Sequence, residues 1–210
     1  MRRIIAVFII LHSSFMALHS QSASELFVSM PDSLFPLLTE KNRNDMVDFY
    51  NNHMEAKVRN ILDDYARLDT LTDSYLRLTL TKSSTAEMKL LETDDSMQVI
   101  VLIQTALGPA RDSRVRFFNA QWQRLYWLEL PAPQTPDFFS ASPDSVAREM
   151  DFAQRSVDDM RLVEVTASPS EPLLTLNVAV DELAEEEKKV ARRYVRPLRY
   201  RWTGSEFLRE

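Results

Sequence analysis

Tyr75-Leu76-Arg77-Leu78-Thr79-Leu80-Thr81 decides the fold. Leu76, Leu78 and Leu80 alternate with Arg77, Thr79 and Thr81, the period of a strand buried on one face. Lys82-Ser83-Ser84 supplies a polar turn, and the alternation resumes at Met88-Lys89-Leu90. Beyond a second polar turn, Glu92 to Ser96, the run Val99-Ile100-Val101-Leu102-Ile103 is wholly apolar. Such a run suits a central strand buried on both faces. Gly108-Pro109 breaks the chain, and Arg114 to Phe118 forms a further strand ending in a hairpin at Asn119-Ala120. Strands joined by short turns make an antiparallel meander, so residues 75–128 read as a first β-rich unit.

Upstream, residues 21–74 read as an N-terminal helical segment. Pro31 and Pro36 break Ser24 to Leu38 into short turns. Thr39 is a good helix N-cap, and Met46, Tyr50 and Met54 recur every four residues with Val47 and Val58 beside them. That stripe predicts a helix from Glu40 to Ala56. Downstream, residues 129–159 combine a stiff connector, with Pro131, Pro133, Pro136 and Pro143, and a helix from Asp144 to Met160. Val146, Met150 and Val157 share one face of that helix. Residues 160–210 form a second β-rich unit, with strands at Val163-Glu164-Val165, Leu174 to Val178 and Val195 to Trp202. Between the last two lies a charged helix from Asp181 to Arg193. The expected fold is α+β, with antiparallel β-meanders and a packed N-terminal helix.

The two β-rich units are candidate tandem copies. Tyr75–Leu125 and Met160–Glu210 are equal in length and open alike, Tyr75 to Thr81 matching Met160 to Thr166. Serine turns follow in both. Each window ends at a hairpin flanked by aromatics, Phe118 and Trp122 in one, Trp202 and Phe207 in the other. The competing reading is coincidence, since alternation makes any two meanders look alike. If the duplication holds, Trp122 and Trp202 occupy equivalent structural places, with Gly204 and Asn119 suited to positive φ in the turns.

Met1-Arg2-Arg3, the uncharged run Ile4 to Leu11, then Ser13 and Ser14 make a secretory signal peptide, residues 1–20. Its apolar run falls short of the ~18–20 residues that span a bilayer, so no transmembrane segment is expected after cleavage. Ser20-Gln21 and Ser22-Ala23 are both acceptable cut sites. The expected location is periplasmic or extracellular. The chain carries a net charge of −6, and cleavage removes Arg2 and Arg3. An acidic balance argues against nucleic acid as a partner.

Composition removes most enzyme classes. With 210 residues and no cysteine, the chain has no thiolate nucleophile, disulfide or thiolate metal site. Gly108 and Gly204, the only glycines, cannot build a phosphate loop. After cleavage His53 is the single imidazole, no Gly-x-Ser-x-Gly elbow exists, and His53 reads as a helix-surface residue. No metal and no cofactor are expected. Asp63-Asp64, Asp94-Asp95 and Asp158-Asp159 are adjacent pairs that point apart and read as solvated turns. A glycosidase needs two carboxyls facing each other at about 5 to 10 Å. The helix that opens at Asp181 is acidic first and basic last, in accord with its dipole, with Glu185 and Lys189 spaced to pair. With Arg196, Arg199 and Arg201 it reads as a solvated face, or alternatively as a dock for an anionic partner. Phe117-Phe118-Trp122-Tyr126-Trp127 reads as core, or as a stacking platform for sugar.

Met30-Pro31-Asp32-Ser33, Leu38-Thr39-Glu40, Asp48-Phe49-Tyr50 and Leu71-Thr72-Asp73-Ser74-Tyr75-Leu76 carry a family likeness, continued by Glu87-Met88-Lys89-Leu90-Leu91 and Asp112-Ser113-Arg114-Val115. They resemble an uncharacterised family of exported proteins from Bacteroides-type bacteria, a domain of unknown function. The resemblance implies an envelope location and supplies no activity. The expected function is that of an exported, non-enzymatic cell-envelope protein that binds a protein or another envelope ligand. The alternative is a carboxylate-dependent glycan hydrolase. No catalytic residue is assigned.

Overall fold

The computed structural model describes residues 20–141 and 144–210, so the expected export signal lies outside the described residues apart from Ser20. Two helices, α1 (Ala23–Ser29) and α2 (Glu40–Asn51), precede the strands β1 (Lys57–Arg59), β2 (Tyr65–Leu71), β3 (Tyr75–Thr81), β4 (Ser84–Glu92), β5 (Gln98–Ala106) and β6 (Asp112–Asn119). These six form one antiparallel sheet in sequential order. After the proline-rich connector come α3 (Ala147–Met160), β7 (Val163–Ala167), β8 (Leu173–Val178), α4 (Glu185–Tyr194), β9 (Leu198–Trp202) and β10 (Phe207–Arg209). The second sheet is also antiparallel, in the order β10-β9-β8-β7. The chain is an α+β protein of two meanders with packed N-terminal helices.

The first sheet is buried on both faces. Leu26, Phe27 and Met46 of the N-terminal helices share a core with Leu76, Leu78, Met88, Ile100 and Leu102. The opposite face brings Tyr75, Val99, Val101, Ile103 and Phe117 against Leu174, Leu176, Tyr200 and Trp202 of the second sheet, joined by Val157 and Ala191 of α3 and α4. Val99 through Ile103 are all at most 1% exposed, as their unbroken apolar run implies. Each such side chain contributes about 1.5–3 kcal/mol by leaving water.

Four local expectations need correction. The segment 21–74 is not helical throughout, because β1 and β2 lie in it. Ala66 and Leu68 point inward while Tyr65 and Arg67 face out, a weak alternation because alanine carries little signal, and three-residue β1 is too short to show a period. Ahead of Pro31 there is room for one short helix, α1, where turns were expected; Ser22 caps it by accepting from the Glu25 N–H. The helix capped by Thr39 stops at Asn51, short of Ala56, because Asn52 closes it and His53 takes φ 57°. The last helix starts at Glu185 rather than Asp181, and its lysine–glutamate pair is Lys188 with Glu185.

The duplication does not align as the sequence windows suggest. Each window holds four consecutive antiparallel strands, yet Trp122 follows the fourth strand, β6, and Trp202 ends the third, β9. The two tryptophans also belong to different cores. Gly204 does take a positive φ, 107°, whereas in the other turn it is Trp122, not Asn119, that does so, at 60°. Asn119 instead accepts the N–H groups of Gln121 and Gln123 through its side-chain oxygen.

One buried cation organises the N-terminus. Arg43 of α2 is 1% exposed and donates to the Leu38 and Val28 carbonyls at 2.6 and 3.1 Å, to the Met30 carbonyl, and to Asp32 Oδ1 at 2.8 Å. Its fork of donors satisfies carbonyls at the end of α1, just after it and just before α2, and so ties the intervening turns to the second helix.

Candidate functional site

The outer strand of the first sheet, β6, and the turn that follows it bring together three arginines. Arg114, Arg116 and Phe118 alternate on one face, opposite Gln104, Leu102 and Ile100 of β5. After Asn119 the chain reverses: the Asn119 N–H donates to the Gln123 carbonyl at 3.0 Å and the Leu125 N–H to the Phe117 carbonyl at 2.9 Å. Arg124 therefore lies across from Phe118.

Arg116 is held rigidly. It donates to Gln104 Oε1, its guanidinium sits 5.7 Å from the Phe118 ring centre, and its buried Nε has no partner. Burial, with Arg114 and Arg124 nearby, holds its pKa below the usual arginine range. Among the described residues no carboxylate lies within ion-pair distance of Arg114, Arg116 or Arg124. Arg124 lies over Tyr126, 5.2 Å from the ring centre, and Tyr126 and Trp127 are 79% and 60% exposed.

A cleft of about 410 Å³ adjoins the strip, lined by the apolar Phe35, Pro36, Leu37, Leu80 and Ala106 together with Gln104 and Arg114. That volume falls within the roughly 300–1,000 Å³ of small-molecule sites. Asp112 stands at the same rim, where its Oδ1 accepts the Val163 N–H at 3.2 Å.

The residues singled out in the sequence separate. Phe117 and Phe118 are buried on opposite faces and Trp122 is buried on Phe118, so only Tyr126 and Trp127 of the aromatic cluster reach solvent. His53 is exposed in the turn after α2. Asp63 pairs with Arg59, and Asp158 accepts the Thr135 hydroxyl at 2.7 Å. Arg199 and Arg201, read as part of a basic stretch, are neutralised by Glu210 and Glu171. Among the described residues no three potential ligands cluster to hold a metal. No helix there is long and apolar enough to cross a membrane.

A second ionic group lies between the sheets. Glu87 Oε2 accepts the Ala167 N–H at 2.8 Å, and Arg77 stands 3.8 Å from Oε1. Lys89 donates to the Pro169 carbonyl at 3.0 Å and is 3% exposed. Burial pushes the Glu87 carboxyl up, against the pull of the Ala167 N–H and Arg77, and pushes Lys89 down. Both side chains span from β4 to the second sheet and are closed to a substrate.

The arginines escaped the sequence reading because Arg124 joins the other two only through the reversal after Asn119. The signal available was Arg114-Val115-Arg116, whose alternation puts two guanidinium groups on one face of a strand.

Fold and site define a two-sheet α+β domain with a cationic, aromatic-bearing edge. Over residues 15–207 the chain matches the family described as Protein of unknown function (DUF3256), and it belongs to that family. Its fold is similar to the solved structure of a domain of an uncharacterized protein from Porphyromonas gingivalis W83. The TM-score is 0.74 at 24% identity, covering 91% of this chain and 99% of that one; at that identity the likeness is one of fold. No curated protein matches.

Proposed function

We propose that the chain is an exported, non-enzymatic protein of the cell envelope that binds an envelope component along the β6 edge. The observation that carries this reading is the exposed pair Tyr126–Trp127, with Arg124 over Tyr126, in line with Arg114 and Arg116, none of the three arginines being neutralised by a carboxylate among the described residues. Exposed aromatics and arginines are the residue types that anchor interfaces. The signal-like residues 1–20 support the envelope location. A glycan hydrolase would need two carboxyls facing each other across a cleft. Glu87, the buried carboxylate among the described residues, is instead committed to the Ala167 N–H and Arg77 between the sheets.

The test is a photo-cross-linking residue placed at Trp127 in growing cells, with a control at exposed Glu182 on the other unit. A distinct adduct at Trp127 alone, in the envelope fraction, is the expected result. No adduct, or equal labelling from both positions, would overturn the reading.

A further inference from the structure

We propose that the cleft under the Phe35–Leu37 turn receives the alkyl chain of a single-tailed amphiphile whose anionic head is held by Arg114. This deepens the binding role above and rests on it. The cleft supplies an apolar floor from Phe35, Leu37 and Leu80 and places one cation at its rim. Gln104 stands directly opposite Arg114 on the neighbouring strand. Its carbonyl oxygen is already engaged by Arg116, which leaves its amide NH2 as a donor at the rim. Arg116, behind it, adds positive charge that no described carboxylate offsets.

The one acid at the rim, Asp112, already accepts the Val163 N–H. Hydrocarbon below and unpaired N–H donors above are complementary to an alkyl chain ending in carboxylate or phosphate. A neutral polar ligand would leave the guanidinium unanswered, and a wholly polar anion would leave the floor unused. The surrounding chain is acidic overall, so this strip opposes the net charge of −6 and concentrates anions at one place.

Isothermal titration of the purified protein with dodecanoate, dodecyl phosphate and dodecanol, each below its micelle concentration, tests this. Both anions should bind one per chain, and dodecanol at least about tenfold more weakly. The tighter of the two anions identifies the head group. Arg114→Ala should weaken dodecanoate about tenfold. Ala106→Phe, at an exposed position lining the cleft, should abolish binding of both anions with the urea midpoint unchanged. No heat with either anion, or binding that survives both substitutions, would overturn the proposal. If the alkyl anions fail while the Trp127 adduct forms, this inference falls and the broader reading stands. If both fail, both fall.

Discussion

Glu87 on β4 accepts the backbone N–H of Ala167, 80 residues further on, at 2.8 Å. Ala167 belongs to β7, the edge of the second sheet, whose outward N–H groups have no neighbouring strand. The first sheet supplies acceptors instead: Asp112 for Val163, Ser113 for Val165 and Glu87 for Ala167. An edge that would otherwise invite pairing with another chain is thus closed by side chains. Glu87→Ala leaves the buried Ala167 N–H unsatisfied and should cost about 1–3 kcal/mol in urea melts. Glu87→Gln retains an acceptor and should cost less.

The same carboxyl sets a pH dependence. Its pKa is raised by burial, so the folded state binds the proton more tightly than the unfolded chain does. That contribution is fully present below the ordinary glutamate range near 4.5 and is lost as pH rises through the folded value. Wild-type stability relative to Glu87→Gln should therefore fall with rising pH across that window. A difference that stays flat would show that the carboxyl is not perturbed.

Arg43 should be the least replaceable residue of the N-terminal region. Its guanidinium serves three carbonyls and Asp32 from a buried position. Arg43→Ala should lose about 3–5 kcal/mol, as breaking a buried ionic group does. Arg43→Lys should recover little, since one ammonium cannot reproduce a planar fork. A urea midpoint for the lysine variant close to wild type would contradict this.

The two buried tryptophans should respond differently to phenylalanine. Trp202 Nε1 donates to the Glu92 carbonyl, whereas Trp122 Nε1 is buried without a partner. Alanine at either site should cost about 3–5 kcal/mol. Trp122→Phe removes an unsatisfied group and should be well tolerated, while Trp202→Phe strands the Glu92 carbonyl and should cost about 1 kcal/mol more. Urea midpoints of the four variants check the ordering.

Gly204 joins the β9–β10 hairpin to the turn after β4, its carbonyl accepting the Asp94 N–H at 3.1 Å. A Cβ there would lie 2.0 Å from Asp94 Oδ1, on a backbone at φ 107°. Gly204→Ala should destabilise by about 1–3 kcal/mol. Adding Asp94→Ala should restore part of the loss, because it removes the clash and leaves the backbone strain. Full restoration would show that the strain is negligible.

The strands were legible where side-chain period and burial agree. Leu76, Leu78 and Leu80 announced β3, and Val99 to Ile103 announced a strand with no solvent face. The period failed where the inward residues are small, as at Ala66, or where a strand is only three residues long, as at Lys57–Arg59. The aromatic cluster could not be divided from sequence, because the turn after Asn119 decides that Trp122 is buried and Trp127 is not. The charge of the site was hidden for the same reason: Arg124 becomes a neighbour of Arg116 only across that turn.

If the β6 edge is the binding surface, its exposed aromatics bind while contributing nothing to stability. The direct measurement is retention of fluorescently labelled protein on isolated cell envelopes, wild type against the Tyr126→Ser/Trp127→Ser variant. Both side chains are solvent-exposed, so the variant should keep the wild-type urea midpoint. Its apparent affinity for envelopes should fall by at least about tenfold, the loss expected when interface anchors are removed. Wild-type retention by the folded variant would contradict the claim that the β6 edge is the binding surface.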